Sequence, residues 1–129
     1  MNYLVIFFGG GLGAVCRFFV ASLVNQRVGI LFPIGTFSVN VIGSFIMGVL
    51  FYLFQNITVS IETRAFLTIG FLGGFTTFSS FSIETVNLLR DGEYRLFLYN
   101  LVFTNVTCLL VTISGLYSAR LFTRFIRQE

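Results

Sequence analysis

The sequence predicts an all-α integral membrane protein with four transmembrane helices, and three observations carry that prediction. Hydrophobic residues make up 56% of the 129 positions and charged residues 10%, with a mean hydropathy of +0.92, far from the averages of soluble domains. Charges, which are costly in hydrocarbon, fall between long uncharged runs: 34 residues between Arg27 and Glu62, 19 from Ala65 to Ile83, 24 from Leu96 to Ala119, and the first 16. A span takes roughly 20 apolar residues. Four spans therefore use most of the chain, so residues 1–129 read as a single four-helix transmembrane domain with no room for a separate soluble one.

The spans are placed at about Tyr3 to Val24, Pro33 to Gln55, Arg64 to Leu89 and Leu96 to Arg120. The first is expected to be a retained span rather than a cleaved leader, because no basic segment precedes it, Arg17 lies inside it and more apolar sequence follows. Pro33 suits a first helical position, where its missing N–H would be unpaired anyway. The polar Gln55-Asn-Ile-Thr and the charged Arg90-Asp-Gly-Glu-Tyr read as water-facing turns.

All eight basic residues are arginine, no histidine occurs, and five carboxylates oppose them. With no acid pair inside a span and no P-loop, an enzymatic constellation is missing, and arginines spread among loops give no patch for nucleic acid. Cys16 and Cys108 lie in separate spans and read as small packing residues, not as a disulfide framework or zinc cluster. Four spans put both ends on one side with Arg64, Arg120, Arg124 and Arg127; Arg27, Arg90 and Arg95 face the other, joined by Arg17 if it snorkels. That near balance gives the positive-inside rule little to act on, so two oppositely oriented copies pairing about a two-fold axis and a fixed orientation both stay open. Gly9 and Gly13, Ser44 and Gly48, and Gly70 and Gly74 each stand four apart, where small side chains let helices approach. A bundle of four helices is too thin to enclose a water-filled path and its own packing, which favours a homo-oligomer.

The third span holds the densest polar chemistry. Gly70-Phe-Leu-Gly-Gly-Phe-Thr-Thr-Phe-Ser-Ser-Phe-Ser packs three glycines and five hydroxyls into thirteen residues at membrane depth. Glycine weakens a helix by about 1 kcal/mol and Ser and Thr offer competing hydrogen bonds, so a break is expected here; a polar but continuous helix is the alternative. Broken backbone survives at that depth only where protein, water or an ion satisfies it, and ion sites of transport proteins recur at such breaks. Carbonyls released there suit a hard cation, and the restarting helix points N–H groups at an anion. After a restart Phe78 and Phe81, three apart, share a face and can present their partly positive edges to a small anion. Polar stripes at fourfold spacing run along the second span (Thr36, Asn40, Ser44) and the fourth (Asn100, Thr104, Cys108, Thr112). Each is read either as interhelical hydrogen bonding or as pathway lining.

The run Gly73-Gly-Phe-Thr-Thr-Phe-Ser-Ser-Phe-Ser82, with Gly35-Thr36 and Asn40 on the second span and Gly-Leu-Gly-Ala-Val-Cys-Arg17 on the first, closely resembles the small bacterial fluoride channels of the Fluc/CrcB family, along the whole four-helix length. The resemblance implies a dual-topology antiparallel homodimer in the bacterial inner membrane, with two fluoride pathways and a central structural sodium ion. By matching position it implies backbone carbonyls of Gly73 and Thr76 as sodium ligands. Phe78 and Phe81 become an aromatic box, Asn40 a pore-lining donor, Ser80 and Thr36 part of the lining, and Arg17 an arginine near the entrance. Asn100, Thr104 and Cys108 map onto a polar track of the fourth helix, with Cys108 where a serine is expected. The chemistry is consistent: fluoride is strongly hydrated, so a pathway replaces its water with several neutral donors, and the net charge of +3 favours anions near the surface within a Debye length of about 8 to 10 Å.

Glu84 is the one carboxylate near membrane depth. It is expected to steady the first turn of the restarting helix through the dipole. As a proton-coupling acid it would instead place the chain among small dual-topology multidrug exporters, which carry their essential acid in the first helix, where this chain has none. A third class, a non-transporting membrane assembly protein, accounts for the glycines and the balanced arginines but not for the hydroxyl and phenylalanine run.

Overall fold

The computed structural model describes residues 3–28 and 31–126, so Arg127 of the arginine tally lies outside the described residues. Helix α1 spans Tyr3–Val28 and α2 spans Ile34–Asn56. The third crossing, Ile61–Arg90, is composite: α3 (Ile61–Arg64), wider π-type turns over Ala65–Leu72, α4 (Gly73–Phe75) and α5 (Phe78–Arg90). Helix α6 spans Tyr94–Ile126. All four crossings are long and apolar enough to traverse a membrane. Helices are the expected form for such runs, because in hydrocarbon every backbone group must pair within its own segment.

The helices run slightly beyond the sequence boundaries. At 33 residues α6 is about 50 Å long, against roughly 30 Å of hydrocarbon, so its last turns, with Arg120 and Arg124, extend past the apolar layer. Pro33 sits one place before the first helical residue, with ψ 64°, and its carbonyl accepts from Phe37 N–H at 3.0 Å, closing the first turn of α2. Between α5 and α6, Gly92 takes φ 79° and lets Glu93 N–H reach the Leu88 carbonyl at 2.9 Å. The connection before α3 is closed by Arg64, whose guanidinium donates to the Phe54 carbonyl at 2.9 Å and lies over the Phe54 ring.

The glycine pairs prove to be contacts within one chain. Helix α1 packs along the π-type turns and α4, and α2 packs along α6. A Cβ at Gly9 would stand 2.8 Å from the Phe66 carbonyl oxygen, one at Gly13 would strike the Phe71 carbonyl, and one at Gly74 would strike that of Gly10. Gly48 and Gly115 bring α2 and α6 together in the same way, against the carbonyls of Thr112 and Phe45. Outward-facing residues such as Phe7, Phe18, Leu109 and Phe122 are large and apolar, as suits a chain whose solvent is lipid. The most deeply buried side chains are Leu72, Val39 and Asn100.

Candidate functional site

The third crossing breaks as expected, and the break is short. It falls not at the glycines but at Thr76 (φ −83°, ψ 157°) and Thr77 (φ −149°, ψ 113°), both extended. Gly70 and Gly74 are instead spent on contact with α1. The tertiary cause is Asn40 of α2, whose Oδ1 accepts from Thr77 N–H at 2.8 Å while its Nδ2 donates to the Thr77 carbonyl at 3.0 Å. One carboxamide thus takes both backbone groups of a residue that is only 7% exposed.

That bond has a second effect. In a continuous α-helix Thr77 N–H would pair with the Gly73 carbonyl and Ser80 N–H with that of Thr76. Here Thr77 N–H goes to Asn40, and Ser80 N–H goes to the Thr77 hydroxyl at 3.1 Å, which caps the restarting helix. The carbonyls of Gly73 and Thr76 are thereby released from the helix. These are hard, neutral oxygen donors of the kind a sodium ion takes, and Gly73 lies exposed on the surface of the chain, so the residues present fit the ion.

Beside the break lies a groove of about 340 Å³ between α2, the third crossing and α6. Asn40, Gly73, Thr76, Phe78, Phe81, Thr104 and Cys108 all contribute to its lining, which includes no charged side chain among the described residues. The Phe78 and Phe81 rings stand 5.3 Å apart at 42°, on one face of α5 as the spacing predicts. They differ in setting: Phe81 is 4% exposed, Phe78 72%.

The remaining expected residues lie elsewhere. Ser80 is half-buried and turned to the Thr77 hydroxyl at 3.0 Å, and Arg17 is half-buried on α1; neither belongs to the groove wall. Thr36 is buried and donates to Glu84 Oε1 at 2.7 Å. This corrects the reading of Glu84: it lies six residues past Phe78, beyond the first turn of α5, and its nearest partner is a hydroxyl from α2, not the helix N-terminus. Asn100 is also off the groove. It sits in a buried chain of hydrogen bonds in which Thr104 donates to Asn100 Oδ1 at 2.9 Å and Asn100 Nδ2 donates to Thr85 at 2.8 Å; Thr85 donates to the Phe81 carbonyl at 2.6 Å. The fourth-helix stripe thus divides, with Asn100 tying α6 to α5 while Thr104, Cys108 and Thr112 reach the groove. Sequence spacing passed over Thr68, Asn105 and Met47, which also line it; Asn105 is one residue off the fourfold stripe, and that offset hid it.

The family model for the CrcB-like protein, Camphor Resistance (CrcB), matches residues 4–116, which hold all four crossings up to the middle of α6. The chain belongs to the CrcB family. Among CrcB-family relatives, a protein of Magnetococcus marinus named fluoride-specific ion channel FluC is 46% identical over 114 residues, covering 88% of this chain and 93% of that protein. One of the same name from Geotalea daltonii is 45% identical over 119 residues, covering 90% and 96%. A third, from Coxiella burnetii, is 46% identical over 111 residues, covering 84% and 90%. The four long apolar crossings and this family membership make the chain a multi-pass membrane protein.

Proposed function

We propose that this chain is a fluoride channel that lets the anion run passively down its electrochemical gradient across the bacterial inner membrane, lowering fluoride in the cytoplasm. The observation that carries the reading is the break at Thr76–Thr77, clamped by Asn40 and opening onto an uncharged groove that also holds the Phe78 and Phe81 rings. The names of its relatives point the same way.

The groove suits a small, strongly hydrated anion. Asn40 uses one Nδ2 hydrogen on Thr77 and keeps the other for a ligand. The ring edges of Phe78 and Phe81 add weak donors along the wall, whereas the hydroxyls of Thr104 and Thr112 spend their single hydrogens on Asn100 Oδ1 and the Cys108 carbonyl. Together the amide and the ring edges replace water without a charged side chain in the wall that would hold the anion too tightly to leave. Arg17, off the groove, raises the local anion concentration near an entrance.

The working form in this proposal is an antiparallel homodimer with two pathways. Support comes from the released Gly73 and Thr76 carbonyls, which belong to an exposed and a half-buried residue at membrane depth and which a second copy would cover. A sodium ion held by these carbonyls from both copies would supply a fixed positive charge and tie the two breaks together.

A proton-coupled exporter is the second reading, favoured by one feature: Glu84 Oε2 is buried without a hydrogen-bond partner. Efflux from liposomes separates the two. Channel activity predicts fluoride release without a proton gradient, far faster than chloride, and retained in Glu84→Gln. Equal chloride and fluoride rates, or no flux from folded protein, would sink it. Fluoride movement that needs a proton gradient and is lost in Glu84→Gln would establish the exporter.

A further inference from the structure

Helix α6 carries two asparagines near its middle, and the fold gives them opposite surroundings. Asn100 is 1% exposed, with Oδ1 and Nδ2 both engaged by buried threonines. Asn105 is exposed and lines the groove that holds Asn40, Phe78 and Phe81. It donates one Nδ2 hydrogen to the Leu101 carbonyl at 2.6 Å. A carboxamide has two N–H donors and an acceptor oxygen, so one N–H and Oδ1 remain for the groove. Depth makes this significant. Asn105 stands eleven residues past Tyr94, about 17 Å along the axis and near the middle of a roughly 30 Å apolar layer, where an amide facing lipid chains is strongly disfavoured.

Resting on the fluoride-channel reading above, we infer that Asn105 is the α6 carboxamide that contacts the permeating fluoride and helps it shed water, a place on the pathway that the family resemblance implied for Asn100. Asn40 and Asn105 then present amide donors to one groove from α2 and α6. Each N–H binds the smaller fluoride more strongly than chloride, which helps offset the larger cost of stripping fluoride of its water.

The test uses the full chain in liposomes, with fluoride and chloride efflux followed by ion-selective electrodes and oligomeric state by cross-linking. Asn105→Leu removes the donor, and near-isosteric Asn105→Asp replaces it with an acceptor that repels anions. Fluoride efflux should fall at least tenfold in the first and further in the second, with the fluoride-to-chloride ratio reduced and cross-linking unchanged. Asn105→Ser, which keeps one donor, should return efflux to within about threefold of wild type. Wild-type efflux and selectivity in Asn105→Asp would overturn the inference, whether or not Asn105→Leu folds. So would loss of the cross-linked species in parallel with flux, which would make Asn105 a packing contact. A wild-type chain that passes no fluoride overturns the channel reading itself; a conducting wild type beside unaffected variants overturns only the role of Asn105.

Discussion

Replacing Asn40 by leucine removes both bonds that hold the break open, at 3.0 and 2.8 Å, while keeping the volume of the side chain. Thr77 is nearly buried, so its N–H and carbonyl lose their partner without gaining water. A stranded buried group costs about 1 to 3 kcal/mol, which gives about 2 to 6 kcal/mol for the pair. If the backbone relaxes, Thr77 N–H returns to the Gly73 carbonyl, the helix closes and the lower figure applies. Either route removes the geometry of the break. At roughly 4 °C per kcal/mol for a chain of this size, the unfolding midpoint should fall by at least about 8 °C. Far-ultraviolet circular dichroism in detergent measures it, and fluoride efflux should fall to background. Ser44→Ala, one turn along the same wall, is the control and should shift the midpoint by no more than about 2 °C. An Asn40→Leu protein that melts within about 2 °C of wild type and still conducts would falsify the clamp.

Three further outcomes follow from the packing. Phe78→Ile and Phe81→Ile should both slow fluoride efflux by removing a ring edge, but only Phe81→Ile, at 4% exposure, should also cost about 1 to 3 kcal/mol of stability; unchanged flux in both would reduce the ring pair to packing. Asn100→Leu and Thr85→Val break the same buried chain, so each should destabilise by about 1 to 3 kcal/mol and the double variant by less than the sum, as read from denaturation midpoints. Gly13→Ala drives a methyl into the Phe71 carbonyl and should sharply lower the yield of folded protein, whereas Gly11→Ala meets open space and should stay within about 1 kcal/mol of wild type.

The four crossings were legible because charge is costly in hydrocarbon, so the arginines and carboxylates marked their ends. The polar run of the third crossing was legible as a break, and the spacing of Phe78 and Phe81 did place their rings together. Where the outcome depended on a distant partner, the sequence stopped short or misled. Glycines and threonines in one run are equally plausible breakpoints by propensity, yet α1 claimed Gly70 and Gly74 for close packing and left the bend to the threonines. Glu84 looked like a helix-end charge until Thr36 of α2 proved to be its partner.

By itself the sequence determined that this is a helical membrane chain, where it crosses and where its third crossing weakens, since these follow from local composition and periodicity. Only the tertiary structure decided which residues the weakness exposes. Asn40, 37 positions before Thr77, draws away the N–H that Gly73 would otherwise use, and the rotation of α6 buries Asn100 while turning Asn105 to the groove. Periodicity fixes which side chains share a helix face, but what that face meets is set by how closely neighbouring backbones approach, and here the glycines of α1, α2, α6 and the third crossing set that approach.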